Sequence, residues 1–471
     1  MQMQIGDRAV VLGASMAGLL AARVLADTYG QVTVIDRDEL PETPMHRRGV
    51  PHGRHIHALL ARGQQALEEL LPGLTAELVS QGVPAGDVLA DVRLYLSGHR
   101  LRQAHTGLGL LSASRPVLEG HVRARIRALP NVAFLDSCDV VGLTTTPDGR
   151  RVTGARVLRR ADGSAEELVA ADLVVDATGR GSRTPVWLEA LGYPRPPTER
   201  VQIGLGYATR IYRLPPDALQ GDLAVVQTAT PNHPRAGGLQ ALEGDRWLLT
   251  LAGILGDHPP TDHDGFLAFA RSLQFPDIYQ AVRDGEPLDD PVGFRFPASV
   301  RHRYECLDRL PAGLLVVGDA VCSFNPIYGQ GMSVAALEAL TLRRHLQRGV
   351  EPQQRRFFRD LARVVDVPWE MAAGGDLVFP GVQGRRTLKV RLVSTYLARL
   401  HAAATHDARL AIAFTRVAGL VAPPQALLRP GIVLRVLRNG PGPAAGTPGR
   451  PQHRDTFRAA ETPAGNKDVS P

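Results

Sequence analysis

The sequence predicts an α/β protein with a βαβ unit at its N-terminus, a sheet-based lobe in its middle and a helical C-terminal segment. Three observations predict it. The apolar run 9–12 ends in GASMAG, residues 13–18, and passes through a helical stretch into a second apolar run closed by Asp36. Residues 193–297 alternate short apolar runs with Pro- and Gly-rich turns. A fully apolar strand at 314–317 then runs through Gly318 and Asp319 into a second helix.

A chain of 471 residues, 44% of them hydrophobic, can bury a large core and exceeds what one compact domain usually holds. The formal charge of +7 comes almost wholly from arginine, since Lys389 and Lys467 are the only lysines. A nucleic-acid binder would gather basic residues on one face beside stacking aromatics, and aromatics make up only 5% of this chain, so no nucleic-acid partner is expected. Cys138, Cys306 and Cys322 lie far apart without a C-x-x-C pair, which argues against a zinc site, a disulfide framework or a dithiol centre. The N-terminus lacks the basic and apolar regions of a signal peptide, and no run of about 18 apolar residues occurs. A soluble, cytoplasmic protein is the expectation.

In chain order, 9–12 reads as a buried strand, 19–26 as a helix and 32–35 as a second buried strand, which together make one Rossmann-type βαβ unit. Residues 62–71 read as a helix and 92–96 as a short strand. Val117, Leu118, Val122, Ile126 and Leu129 recur at helical spacing over 116–129. A β-rich meander follows through 132–135, 152–158 and 173–175, ahead of the lobe, the strand 314–317 and a helix over 333–345. Residues 352–438 are mostly helical, with about ten Arg or Lys against one acid, Asp407, from Arg385 onward. Past Gly440 the composition turns to Pro, Gly, Ala and charge, the signature of a disordered tail.

Gly13 and Gly18 hold the outer positions of a G-x-G-x-x-G fingerprint, and Ser15 holds the middle one. Gly13 permits the tight turn and Gly18 the close packing of helix on strand, while the helix start aims unpaired N–H groups at a pyrophosphate. Asp36 is spaced to accept from ribose hydroxyls; Ala14 and Arg37 flank these positions and are counted with them as cofactor-binding. This fingerprint alone does not choose between NAD and FAD. The far end of the chain does: Asp319 suits a ribityl hydroxyl, which NAD lacks, and the N–H groups near Gly331 and Met332 suit negative charge on the N1/C2=O edge of a reduced flavin. Gly318 and Gly329 shape the turns on either side. The fold expected is therefore a Rossmann-type FAD-binding domain (1–85, 105–185 and 300–350), a β-sheet substrate lobe (86–104 and 186–299), a helical region (351–438) and a tail (439–471).

With both ends in view, the chain resembles the single-component class A FAD-dependent monooxygenases of the para-hydroxybenzoate hydroxylase fold. Gly318-Asp319 looks like that family's GD motif, DLVVDATGRGSR at 172–183 sits where its DG motif lies, and Arg115 matches an arginine that reaches the FAD pyrophosphate. RRGVPHGRHIHALL, 47–60, resembles a bacterial subgroup of polyene and polyether epoxidases, related more distantly to squalene epoxidase. The resemblance spans about residues 8–350 and implies cofactor contacts at Arg48, at Arg115 and at the Val140 backbone near the adenine. It departs at Ala177-Thr178-Gly179, where the family has Ala-Asp-Gly, and at Pro185, where the family has an arginine. Electrons are therefore expected from NAD(P)H either directly or through a partner flavin reductase.

The resemblance implies that reduced flavin and O2 form a C4a-hydroperoxide, whose distal oxygen passes to a lipophilic secondary metabolite by epoxidation or hydroxylation, as in antibiotic biosynthesis. The sequence offers no clear protein base, which favours an alkene or another apolar substrate. Phe266, Phe269, Phe275, Phe294 and Phe296 either line an apolar pocket or form plain core, and the basic C-terminal helices either close the cavity, touch an anionic membrane surface or face solvent. His52, His55 and His57 invite a metal, but three ligands at this spacing on one loop would be unusual, and no metal is expected. A halogenase needs an active-site lysine, and none precedes Lys389. An alkene reductase of the prenyl type and a flavoprotein using FAD structurally are the alternatives.

Overall fold

A computed structural model describes residues 4–161 and 163–439 of the chain. The tail expected over 439–471 lies outside the described residues from 440 onward, and Asn439 itself ends a helix.

The N-terminal unit consists of β1 (Gly6–Leu12), α1 (Met16–Leu25) and β2 (Tyr29–Ile35). It is joined by α2 (Arg115–Arg127), β3 (Val132–Leu135), β4 (Leu173–Asp176), β5 (Leu314–Val316) and α3 (Gly331–Leu346). The five strands form a parallel sheet in the order β5-β4-β1-β2-β3. β4 is buried throughout and β1 is buried from Ala9 to Leu12, and this burial on both faces is why these strands read as unbroken apolar runs. Leu12 pairs with Ile35 and Asp176, and Asp176 pairs with Val316, so the turns after β1, β2, β4 and β5 leave the sheet along one edge. That edge carries the site.

A small antiparallel sheet of Cys138–Thr145, Val152–Arg159 and Glu166–Ala170 is tied to β2 where the Cys138 N–H donates to the Asp36 carbonyl over 2.9 Å. The lobe is a larger sheet built on the long strand Thr198–Arg213, which pairs antiparallel with Val292–His302 on one side and Arg246–Gly253 on the other. Val92–Leu96 enters the same sheet beside Ala224–Gln227, and Cys322–Ser323, from within the segment expected in the nucleotide domain, closes its other edge. Alternation along Thr198–Arg213 divides two cores. Ala208 faces the lobe's own core with Leu249, Leu251, Phe266 and Phe269, whereas Tyr207 packs with the nucleotide domain.

The C-terminal region is helical. α4 (Gln354–Asp376) packs against α3 and the strand Thr198–Arg213. α5 (Leu388–Ala403), α6 (Ala408–Ala418) and α7 (Pro430–Asn439) enclose a third core around Leu400, Leu410 and Val436, to which Leu89 and Leu101 contribute. No helix among the described residues is long and apolar enough to cross a membrane.

Candidate active site

The turn after β1 is shaped by contacts that only glycine tolerates. Gly13 has φ +101°, its N–H donates to the Ile35 carbonyl over 2.7 Å, and a Cβ there would stand 2.6 Å from the Ala177 carbonyl oxygen. A Cβ on Gly18 would stand 1.8 Å from the Gly13 oxygen. Ser15 is the N-cap of α1, yet its hydroxyl makes no cap bond. It donates to Glu119 over 3.0 Å and accepts from Arg115 Nη2 over 2.6 Å, so the first turn of α1 keeps no capping side chain and has a guanidinium beside it.

Asp36 is buried beside that turn and accepts the Ala14 N–H over 2.6 Å. The guanidinium facing it belongs to Arg47, which binds Asp36, Asp38 and Glu119 at 3.2, 3.3 and 2.7 Å and the Ala14 carbonyl at 3.2 Å. Burial alone would raise the Glu119 carboxyl, but Arg115 and Arg47 outweigh it and hold the group down at about 2. Arg37 and Arg48 are both exposed at the rim, and Val140 is half-buried in the strand that starts next to Asp36. Sequence reasoning missed Arg47 and Glu119. Glu119 was within reach of it, since Arg115 and Glu119 are an i, i+4 pair on one helix.

The second turn folds onto the first. Gly318 has φ +67°, and a Cβ there would lie 2.6 Å from the Ala17 Cβ, in the first turn of α1. Asp319 follows at the same edge, half-buried, and burial raises its carboxyl to about 6 against the pull of Arg180 and Arg115. Glu338 of α3 accepts the Gly318 N–H over 2.5 Å; burial raises it to about 8, against that bond and with the help of Asp319. Gly329 has φ +63° and room for no Cβ beside Ala58, while a Cβ on Gly331 would meet Asp319 Oδ1 at 3.9 Å. Met332 is buried in the first turn of α3, whose N-cap Gln330 is also buried with an unpartnered Oε1. At the departure in the DG motif, Thr178 is exposed, and its N–H and hydroxyl both donate to Asp176, at 2.8 and 2.6 Å. Arg180, two residues on, lies over the Phe296 ring at 4.5 Å.

The loop carrying the three histidines crosses between this edge and the lobe. His52 and His57 approach at 5.3 Å between ring centroids, His55 stacks on Tyr207 at 5.6 Å, and Phe294 touches His52 and His55. His55 Nδ1 and the Thr209 hydroxyl are 2.7 Å apart. Burial, with Arg115 and Arg54 respectively, lowers His52 and His55 to about 4, so both rings are neutral at pH 7. Of the five phenylalanines, Phe266, Phe269 and Phe275 belong to the lobe's core, while Phe294 and Phe296 face the site. Near Tyr207 lies a carboxylate the sequence did not single out. Asp376, 1% exposed at the end of α4, accepts from Asn325 Nδ2 at 2.8 Å and the Tyr328 hydroxyl at 3.1 Å. A cleft of about 900 Å³ between the end of α3 and the start of α4, lined by Arg344, Arg348 and Arg356, is a separate basic surface.

These residues fit FAD. Two glycine turns in contact, a buried carboxylate beside each, a guanidinium at an uncapped helix start and the buried, unpartnered Gln330 Oε1 provide donors and acceptors for both ends of a dinucleotide.

No family model matches the chain. Protein Rv3254 of Mycobacterium tuberculosis is 41% identical over 390 residues, covering 79% of this chain and 81% of that protein. A kynurenine 3-monooxygenase of Salinispora arenicola is 30% identical over 370 residues, 71% of each chain. Among solved structures, a flavoprotein/dehydrogenase from Cytophaga hutchinsonii superposes with a TM-score of 0.66 at 13% identity, covering 92% of this chain and 98% of its own. PqsL, a probable FAD-dependent monooxygenase from Pseudomonas aeruginosa, gives a TM-score of 0.54 at 18% identity, covering 86% and 98%. With the two-turn site and these relatives together, the chain belongs to the family of FAD-dependent flavoprotein monooxygenases.

Proposed function

We propose that this protein uses FAD and O2 to hydroxylate or epoxidise a lipophilic small molecule, a polyene- or polyketide-like secondary metabolite. The observation that carries the reading is the contact of Gly318 with Ala17, which brings the turn after β5 against the first turn of α1 and supports reading two motifs about 300 residues apart in the sequence as one site. In this reading Asp36 holds the ribose hydroxyls, Arg115 and the first turn of α1 hold the pyrophosphate, and Asp319 holds the ribityl chain. The N–H groups at Gly331 and Met332 face the carbonyl edge of the flavin ring, with Gly13, Ala14, Ser15, Gly18, Gly318 and Gly329 shaping the cradle. Arg37, Arg48 and Val140 serve the adenosine end. Bound FAD supplies the activation of O2 and the storage of an electron pair. The protein's part is to orient substrate and exclude water, for which Phe294, Phe296, Tyr207 and the neutral histidines provide a lining of low polarity.

Leu388 and Leu392 of α5 and Leu434 and Leu437 of α7 are exposed beside Arg391, Arg435 and Arg438, which supports peripheral contact with an anionic membrane surface where a lipophilic substrate would collect. Electrons come from NAD(P)H, directly or through a partner flavin reductase, and the Thr178 hydroxyl, which stands where the family has a carboxylate and is bonded to Asp176, favours the partner.

The test is incubation of FAD-loaded protein with candidate polyenes and aromatics under 18O2, with NADPH alone and with an added flavin reductase, reading label by mass spectrometry. Label in the product is expected. Protein that takes up no FAD, or flavin that cycles without labelling any candidate, would overturn the reading.

A further inference from the structure

Three parts of the molecule meet at Asp376: the loop 325–331 that leads into α3, the lobe strand Thr198–Arg213 and the end of α4. The carboxylate uses Oδ1 to accept from Asn325 and Tyr328, while Oδ2 is buried without a partner. It is not alone in this. The Tyr207 hydroxyl, close enough to Asp376 to feel its charge, is also buried and unpartnered, as is Nε2 of His55, the ring stacked on Tyr207. Three open hydrogen-bonding valences on residues at most 7% exposed, beside the aromatic lining, are costly unless a ligand satisfies them, and Tyr328, bonded to Asp376, stands three residues before Gly331.

Their chemistry specifies the ligand. A carboxylate oxygen only accepts, and a phenol at this depth donates. Burial raises Asp376 to about 6 against its bonds from Asn325 and Tyr328, so it is a carboxylate at neutral pH and stronger as a base than an exposed aspartate. Tyr207 and Tyr328 are pushed far up by burial and stay protonated. Of the two arginines on the segment after α4, Arg385 is exposed and Arg386 is tied to the carbonyls of Leu377, Phe379, Pro380 and Val382. His55 titrates near 4 and is neutral where Asp376 ionises.

We propose that Asp376 accepts the hydroxyl proton of the substrate, and that the substrate is a phenol or an enol whose oxygen also receives a hydrogen bond from Tyr207. The inference rests on the monooxygenase reading and narrows it from alkenes to hydroxylated, electron-rich carbon. The substrate O–H bond breaks as its proton passes to Asp376 Oδ2. The electron pair left on oxygen delocalises to the neighbouring carbon, which bound FAD with O2 would oxygenate. For a phenol, that carbon loses its own proton to solvent and the acid returns its proton to the substrate oxygen; for an enol, whose oxygen becomes a carbonyl, the acid releases its proton to solvent, and in both cases the carboxylate is restored.

The test uses FAD-loaded, oxidised protein and two probes of one shape, 2-naphthol and 2-methoxynaphthalene, titrated between about pH 5 and pH 8, where neither probe ionises. Perturbation of the flavin absorption reads binding without turnover. Preference for 2-naphthol over its ether is expected to grow about tenfold as pH rises through about 6, as a charged acceptor replaces a neutral one. In Asp376→Asn the preference is expected to be independent of pH, and in Tyr207→Phe to shrink while keeping its pH dependence. Equal affinity for both probes in the wild type, no binding of 2-naphthol, or a pH-dependent preference that survives in Asp376→Asn would each overturn the proposal. Should Asp376→Asn not fold, the wild-type profile and Tyr207→Phe decide. Failure to bind FAD would instead defeat the monooxygenase reading itself.

Discussion

The Arg115 guanidinium donates to the Ser15 hydroxyl over 2.6 Å, joining the start of α2 to the start of α1 across one hundred residues of sequence. Ser15 thereby sets where a cation stands relative to the free N–H groups of α1. Ser15→Ala removes this bond and the one to Glu119 while leaving the turn intact. FAD affinity is expected to fall about five- to tenfold, the size of one net hydrogen bond, in a fluorescence titration of apoprotein. Unchanged affinity would mean that Arg115 keeps its place without the serine.

Gly18 and Gly13 fail differently when a methyl group is added. At Gly18 the new Cβ meets backbone at 1.8 Å, so Gly18→Ala must move strand and helix apart. At Gly13 the φ of +101° adds conformational strain to a 2.6 Å contact. Both variants are expected to purify without flavin, with Gly18→Ala the less stable in thermal denaturation.

Two adjacent arginines separate burial from charge. Arg47→Ala would leave Asp36, Asp38 and Glu119 buried without their shared cation, at a cost of roughly 3–5 kcal/mol. Arg48→Ala, at the rim, is expected to change stability by no more than about 0.5 kcal/mol. Urea denaturation of the two apoproteins measures the difference, and equal losses would refute this account of the cluster.

Glu338 makes the folded protein bind a proton that the unfolded chain releases. Its carboxyl moves from an ordinary 4.5 to about 8 on folding, so the folded state holds more protons between those values and stability falls as pH rises through them. Glu338→Gln resembles the neutral form and can still accept the Gly318 N–H. It is expected to fold and to flatten that alkaline decline in denaturant midpoints measured across the range.

The histidines give the opposite slope. His52 and His55 drop from 6.5 to about 4 on folding, so between these values the unfolded chain binds more protons and stability rises with pH, levelling off above about 6.5. His52→Gln and His55→Gln are each expected to remove part of the acid-side loss. If neither changes the slope, other groups govern acid unfolding.

The sequence by itself determined the parallel βαβ unit and the glycine turns around which the cofactor site is proposed. Both depend on short-range rules: apolar runs make buried strands, and glycine marks turns where a Cβ would strike backbone, as at Gly13, Gly18 and Gly318. That the C-terminal region is mostly helical was legible as well. Tertiary structure decided what has no local signature. Arg47 and Arg48 are the same residue type side by side, and only packing of the loop against α2 buries the first and leaves the second exposed. Phe294 and Phe269 lie in one stretch of alternating strands and helices, and which of them faces the site depends on sheet pairing and on the helix laid behind it. Asp376 was invisible because nothing near it in sequence marks a site: its neighbours Asn325, Tyr328 and Tyr207 come from two distant segments, and its character as a base arises from the burial they create together.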